Sequence, residues 1–223
     1  MAGPDRRTAM GGDDDAGAVR PWRGPGPGRP SVPLPPDRMP LVRGGRPLKA
    51  WTYTGAFGPE AMLCAATVRI GILRIAWWAV WDRHAGRLVQ RTAHGRGGVE
   101  VEPRRVAVPG RFELSLGDGK AVEVVSPHGG QYAWTRKRGG VTARGWVRLG
   151  GARRAVELRA IVDESAGYHA RHTTWRWSAG VGVAASGEPV AWNLVDGIHD
   201  GREAGASERT VWVAGTPREV GPM

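Results

Sequence analysis

The alternation of apolar and polar side chains is the feature of this sequence that most constrains its fold. Every second residue from 141 to 149 is apolar or glycine, and the same repeat continues over residues 156–162. Successive side chains of a strand point to opposite faces, so this repeat is typical of half-buried antiparallel strands. Residues 61–70 and 74–82 are apolar runs of strand length, and no segment of eleven or more residues holds a 3.6-residue repeat. The chain is therefore predicted to be all-β.

Glycine-rich turns separate the predicted strands. They are expected at residues 117–119, 138–140, 150–151 and 186–189. Glycine adopts the positive φ that tight hairpin loops require. About a dozen strands at this spacing are typical of antiparallel barrels or sandwiches. Two architectures stay open: one or more barrels, or two packed β units.

The chain divides by composition into three parts. Residues 1–31 alternate proline and glycine after an acidic triplet, and we expect a disordered leader because little apolar surface is available to bury. Residues 34–40 interleave apolar side chains with prolines and are expected to form an extended strap on the domain surface. Residues 32–135 are assigned to a first β-barrel-like unit and residues 136–223 to a second.

Charge and cysteine content limit the partners. The formal charge is +11, but only Lys49, Lys120 and Lys137 are lysine among 32 basic residues, and the arginines are scattered. We therefore expect no specific nucleic-acid partner. No apolar stretch reaches about 20 residues, which argues against an integral membrane protein. The single cysteine, Cys64, cannot form an internal disulfide, and no targeting signal is recognised, so a cytoplasmic location is expected. The oligomeric state stays open.

The eleven tryptophans have two interpretations. As core residues they would fill a β-barrel interior, and as cavity residues they would line a site for a hydrophobic small molecule. Trp175 and Trp177 are two residues apart and point to one face. The expected ligand-binding residues are the following: Trp78, Trp175, Trp177, Trp192, Asn193 and His199.

Polar residues that could carry chemistry occur late in the chain, in two segments at predicted strand ends. If both segments meet at one barrel mouth, they form an acid–base pocket, in which a carboxyl group works beside His or Tyr. The predicted catalytic residues are Asp163, Tyr168, His172 and Asp196. Two alternatives stay open. His169 and His172 could bind a metal with Asp196 or His199, or the aspartates could merely cap turns.

Several established signatures are absent from the sequence. It contains no phosphate-binding loop, nucleophile elbow, His-Glu-x-x-His motif or cysteine pair. We therefore expect no cofactor and no metal.

The motifs at residues 34–41, 57–59, 76–82, 167–180 and 191–200 resemble the family catalogued as domain of unknown function 2804, over about residues 32–214. More remotely, the chain is similar to the lipocalin-like carotenoid 1,2-hydratases, whose Trp-rich strands surround a hydrophobic cavity with a loop acid. The resemblance implies a lipocalin-like barrel. Family members continue beyond Met223, so part of the second unit is expected to be missing.

The sequence leaves two functions open. The first is binding of a hydrophobic or lipid-like small molecule in an aromatic-lined β-barrel cavity. The second is a cofactor-independent hydratase- or isomerase-like enzyme that uses the Asp, Tyr and His groups at the barrel mouth.

Overall fold

The computed structural model describes residues 19–198 and 205–222, and within them every regular element is a strand. None of these residues belongs to a helix that could cross a membrane. The strands are β1 (Trp22–Arg23), β2 (Val42–Arg43), β3 (Arg46–Pro47), β4 (Lys49–Phe57), β5 (Ala61–Ile70), β6 (Leu73–Asp82), β7 (Arg87–His94), β8 (Glu100–Glu102), β9 (Arg105–Val108), β10 (Phe112–Leu116), β11 (Ala121–His128), β12 (Gln131–Leu149), β13 (Ala152–Gly167), β14 (Arg176–Val183), β15 (Pro189–Asp196), β16 (Thr210–Val213) and β17 (Thr216–Glu219).

The larger sheet has eleven antiparallel strands. Its order is β7-β6-β5-β4-β13-β12-β10-β9-β8, and β11 pairs with the first half of β12 and with β1. The sheet curls into a half-barrel, so that β8 and β9 contact β4 and β5 across it. The prediction of an antiparallel all-β fold is confirmed.

The inside of this curl is filled. Alternate residues from β4 to β13 point inward and form one apolar cluster, in which Phe112, Leu114 and Val106 are fully buried. Trp78 belongs to this cluster too. The inner face of the sheet is thus a packed core, and the burial of its apolar side chains stabilises the fold.

A smaller sheet of four strands, in the order β14-β15-β16-β17, covers part of the outer face. Trp212 on β16 anchors it, since its ring is buried with Val122 and Ile161 of the larger sheet and its Nε1 donates to the Lys120 carbonyl at 2.9 Å. Gly139 makes room for this ring, because a Cβ there would lie 2.2 Å from the indole.

Strand β12 differs from its sequence prediction. The turn predicted at residues 138–140 is wrong: these residues lie inside β12, where the register shifts between Gly139 and Val141. The bulge accommodates the extra residue while the strand continues. The boundary expected at 135/136 also falls within β12, and the larger sheet contains strands from both sides of it. The division into two β units stays a prediction.

The N-terminal strap packs more deeply than its sequence indicates. Residues 1–18 of the predicted leader lie outside the described residues, whereas Trp22 and Arg23 pair with β11. The strap expected at residues 34–40 is held by Leu34 and Met39, which are buried in a cluster with Tyr132 and other aromatic side chains. The strap therefore closes a second apolar cluster beside the larger sheet.

Candidate functional site

A cavity of about 460 Å³ lies between the outer face of the larger sheet and the smaller sheet. The aromatic hollow was predicted inside a barrel, but the interior of the curl is packed with apolar side chains. The hollow is therefore formed by the opposite face of the same strands. A volume of this size suits a small organic molecule.

Strand pairing brings the floor of the cavity together from three adjacent strands. Tyr53 on β4 pairs with Asp163 on β13, and Asp163 pairs with Lys137 on β12. Residues directly opposite each other in a sheet share a face, so the three side chains stand in one row. Trp77 extends the row on β6, beyond Ala66 of β5.

Buried ionic groups occupy the centre of this floor. Lys137 Nζ lies 2.6 Å from Asp163 Oδ2 and 3.3 Å from Glu208 Oε2, and all three side chains are at least 95% buried. Asn193 of the smaller sheet donates from Nδ2 to Asp163 Oδ2 at 2.9 Å. The other carboxylate oxygen, Asp163 Oδ1, has no hydrogen-bond partner within the described part of the chain.

The environment fixes the protonation of two floor residues. Burial acts to lower the pKa of Lys137, but Asp163 and Glu208 outweigh it and raise that pKa above its ordinary value. The amine is therefore a fixed cation rather than a nucleophile. Burial, with smaller contributions from Cys64 and Asp163, raises the pKa of Tyr53 well above the usual range, so its phenol stays neutral.

The walls of the cavity are mainly aromatic and aliphatic. Trp177 anchors one wall, because its Nε1 donates to Asn193 Oδ1 at 3.0 Å and its ring meets the Tyr53 ring edge-on at 5.1 Å. The remaining apolar lining residues are Trp51, Trp77, Trp175, Val68, Ile70, Val195 and Ile198. Apolar walls around a small number of polar groups are typical of ligand sites.

The connection between the two sheets, residues 168–175, forms a further wall. His169 lies stacked on Trp51 with ring centroids 5.7 Å apart. Lys49 Nζ donates to the Ala170 carbonyl at 2.9 Å, and the Ala170 amide donates to His128 Nε2 at 3.2 Å. These contacts hold the connection against the larger sheet.

The structure places the four predicted catalytic residues in different surroundings. Asp163 lines the cavity and lies in β13, not in a loop. Tyr168 is buried against the strap: its hydroxyl donates to the Pro40 carbonyl at 2.8 Å, and burial raises its pKa to about 12. His172 is exposed and does not line the cavity, and Asp196 pairs with Arg176 at the end of β15. Of the four, only Asp163 reaches this cavity.

The predicted ligand-binding residues also divide. Trp175 and Trp177 line the cavity, and Asn193 supports its floor. Trp192, next to Asn193, is not a lining residue, and its Nε1 donates to Ser178 at 3.0 Å. Trp78 lies in the core inside the curl. His199 lies outside the described residues.

Four polar lining residues are not among those predicted from the sequence: Lys49, Tyr53, Lys137 and Glu208. One signal for them was present. The chain has three lysines among its 32 basic residues, and two of them line this cavity. At Lys137 the compact ammonium lies between two buried carboxylates, a position that the larger, planar guanidinium of arginine would fill differently.

The metal alternative gains no support from the described residues. Within residues 19–198 and 205–222, no group of three or more His, Cys, Asp and Glu side chains could hold a metal ion. His169 lies in the cavity wall, whereas His172 is exposed.

Comparisons with known proteins identify a family. The family model described as Domain of unknown function (DUF2804) matches residues 96–222, just over half of the chain, and this range includes Lys137, Asp163, Asn193 and Glu208. No curated protein matches the sequence.

Two solved structures are similar to the fold. A putative AttH from Nitrosomonas europaea has 14% sequence identity and a TM-score of 0.48, over 85% of this chain and 74% of that one. Kievitone hydratase from Nectria haematococca has 10% identity and a TM-score of 0.43, over 74% of this chain and 60% of that one. Neither similarity is high enough to transfer a ligand or a reaction.

Proposed function

The chain belongs to the family described as Domain of unknown function (DUF2804), and from that premise we propose that it binds a small, largely apolar molecule that carries a hydrogen-bond donor. The observation that carries this proposal is the cavity itself. It combines apolar walls with one buried carboxylate oxygen, Asp163 Oδ1, that lacks a partner within the described residues.

The walls favour an apolar body. Four tryptophans and four aliphatic side chains line a volume of about 460 Å³. Large aromatic side chains bury much apolar area and lose little conformational entropy on binding, since few torsions must be fixed. A hydrophobic or lipid-like molecule gains most from such walls.

The floor favours a donor such as a hydroxyl group. A buried carboxylate oxygen without a hydrogen bond costs free energy, and a ligand hydroxyl that donates to Asp163 Oδ1 removes that cost. Lys137 and Asn193 already occupy Oδ2, so they fix the orientation of the carboxylate. A ligand of the same shape without a donor would leave Oδ1 unpaired.

Competition between two matched molecules tests this selectivity. Anilinonaphthalene sulfonate reports on the cavity by fluorescence, and farnesol or farnesyl methyl ether displaces it. We expect farnesol to displace the dye at about tenfold lower concentration than the ether, because only farnesol donates a hydrogen bond. Equal displacement by both would contradict the role of Asp163, and no displacement by either would contradict the binding function.

A tryptophan pair locates the binding. Trp175→Ala removes a half-exposed indole ring from the cavity wall. This loss of apolar contact should weaken farnesol binding by about tenfold. Trp146→Ala is the matched control. Trp146 lies on β12 but does not line the cavity, and its ring packs under Arg153. This variant should bind farnesol within about twofold of the unaltered chain. Similar losses in both variants would place the ligand outside this cavity.

A second function, a cofactor-independent isomerase- or hydratase-like enzyme, is favoured by one further feature of the floor. The neutral Tyr53 phenol and the Asp163 carboxylate stand side by side on adjacent strands at an apolar cavity. If the substrate has a carbonyl group conjugated with a double bond, the carboxylate could take a proton from the carbon at the end of that conjugated system and return it nearer the carbonyl, while the neutral phenol donates a hydrogen bond to the carbonyl oxygen. In a hydration, the proton would add to one carbon and water would supply hydroxide to the other.

Solvent isotope uptake separates the enzyme from the binding protein. Farnesal, the aldehyde of the same carbon chain, should gain deuterium at carbon when it is incubated with the protein in D₂O if Asp163 transfers protons, and Asp163→Asn should abolish this gain because an amide is not a proton carrier. Farnesal that displaces the dye but gains no deuterium would contradict the enzyme and leave the binding function intact.

A further inference from the structure

Exposed apolar side chains gather at one end of the cavity. Two short segments carry them, the loop containing β2 and the hairpin between β5 and β6. Ile72 is 87% exposed and Leu73 is 65% exposed. We call the following set the mouth patch: Leu41, Val42, Ile72 and Leu73. Side chains of this size are rarely so exposed next to each other unless they meet a partner.

Backbone contacts make the mouth patch continuous. The Gly71 amide donates to the Leu48 carbonyl at 2.8 Å, and the Leu48 amide donates to the Leu41 carbonyl at 2.8 Å. A Cβ on Gly71 would lie 3.6 Å from Pro47, which pairs with Val42. The hairpin tip and the loop therefore form one surface.

This surface borders the cavity. Ile70 and Lys49 are paired across β5 and β4, and both line the cavity. Ile70 also pairs with Leu73 of the mouth patch. The half-exposed Trp175 lies in the same lining. A molecule entering at this end would pass directly from the mouth patch onto the cavity walls.

Three arginines lie next to the mouth patch. Arg69 and Arg74 stand opposite each other at the base of the hairpin tip, and Arg43 follows Val42. Within the described residues none of the three has a carboxylate at salt-bridge distance. Glu100 and Glu102 share a separate hollow of about 390 Å³ with Arg69 and Arg74. Arg69 and Arg74 leave the hairpin on the face opposite to Ile70 and Leu73, because successive side chains of a strand alternate. Arg43 lies over the Tyr132 ring, 5.4 Å from its centroid, which leaves its charge without a counter-ion. An anionic surface that the apolar tip enters would therefore meet cations beside it.

We propose that the mouth patch docks the protein on a membrane surface that contains anionic lipids. Apolar side chains enter the boundary between headgroups and acyl chains while neighbouring cations contact the phosphates, which is how peripheral proteins bind such surfaces. The formal charge of +11 adds long-range attraction. Docking would place the end of the cavity that borders the mouth patch against the membrane, where apolar molecules are dissolved. It does not depend on which molecule the cavity binds.

Vesicle sedimentation tests the proposal. Vesicles of phosphatidylcholine alone should bind the chain weakly, and vesicles with about a third phosphatidylglycerol should bind it well at low salt. Ile72→Asp/Leu73→Asp should lower binding to the anionic vesicles by about tenfold or more. Ile72→Ser/Leu73→Ser should also lower it, because it removes the apolar side chains without adding charge.

A control variant separates the patch from the net charge. Val183→Asp/Leu88→Asp makes the same change in charge at exposed apolar positions outside the mouth patch. Val183 ends β14, six residues along the strand from Trp177 of the cavity wall. Leu88 pairs with Trp81, eight residues along β6 from Leu73, or roughly 26 Å in a strand. This control should bind within about threefold of the unaltered chain. Equal losses in both Asp variants, or unaltered binding by the Ser variant, would overturn the proposal, as would failure of the unaltered chain to bind anionic vesicles.

Discussion

Where they pass beneath the cavity, strands β4, β13 and β12 bury both of their faces, and the two faces contain different chemistry. On the inner face, residues such as Ala56 and Ala160 join an entirely apolar cluster. On the outer face, residues of the opposite parity on the same strands supply Tyr53 and Asp163 to a hollow, together with Lys137 of β12. One set of strands thus provides a packed core with one half of its residues and a polar site with the other half.

The comparison shows why the site can hold buried charge. The apolar inner cluster gives the sheet a rigid backbone that does not depend on the outer face. Buried ions are costly and need fixed partners, and a rigid row of paired strands keeps Lys137 within 2.6 Å of Asp163 Oδ2. The core therefore provides the fixed geometry that the ionic floor requires.

The largest expected effect concerns the ionic floor. Lys137→Met keeps the length of the side chain but leaves Asp163 and Glu208 without their buried cation, so the free energy of unfolding should fall by about 4 kcal/mol. Lys120→Met is the control, because Lys120 is exposed and should change stability by less than about 0.5 kcal/mol. Urea denaturation measures both. Equal stability of the two variants would mean that the buried cation on the outer face contributes no more to folding than an exposed lysine.

A pair of substitutions in the inner core should have the next largest effect. Leu114→Ala leaves a void at a fully buried position and should cost about 3 kcal/mol. Leu114→Met conserves volume and should cost less than about 1.5 kcal/mol. Substitution by methionine, which conserves the size of the side chain, is thus expected to be tolerated at Leu114 inside the curl but not at Lys137 on the cavity floor. A larger loss for Leu114→Met than for Lys137→Met would reverse this comparison.

The smallest effect is a shift of tyrosine ionisation to higher pH. Burial raises the pKa of each of the three tyrosines, Tyr53 on the cavity floor and Tyr132 and Tyr168 beneath the strap, and that of Tyr168 to about 12. Since the fold favours the protonated phenols, their contribution to stability is complete below the unfolded pKa of about 10 and is lost as the pH rises above it. Ultraviolet absorbance should show little phenolate in the native chain at pH 10. Ionisation of one tyrosine near pH 10 would mean that the corresponding site is open to water.

The strands could be predicted from local patterning where their environment is uniform. The run predicted at 61–70 coincides with β5 (Ala61–Ile70), and the run at 74–82 begins one residue after the start of β6. Strand β12 could not be predicted in full. A basic cluster followed by Gly139 and Gly140 has the composition of a turn, and only partners distant in sequence make it a strand. Trp212 packs on Gly139, and Asp163 neutralises Lys137.

The site was only partly predictable, because its side chains also come together through partners that are distant in sequence. Asp163 and Tyr168 are close in sequence, which suggested a joint site, but Tyr168 lies against the strap. Tyr53, more than a hundred residues earlier, is the tyrosine that pairs with Asp163. Strand register decides which side chains meet, and register depends on the whole sheet rather than on neighbouring sequence.

The hydrogen bond from Asn193 to Asp163 joins the smaller sheet to the larger one at the floor of the cavity. Any molecule seated there touches both sheets at once, so its binding free energy also resists their separation. Occupancy should therefore be visible as a rise in melting temperature that grows with ligand concentration. Thermal shift would then serve as a screen for the natural ligand, even one that leaves no spectroscopic trace of its own.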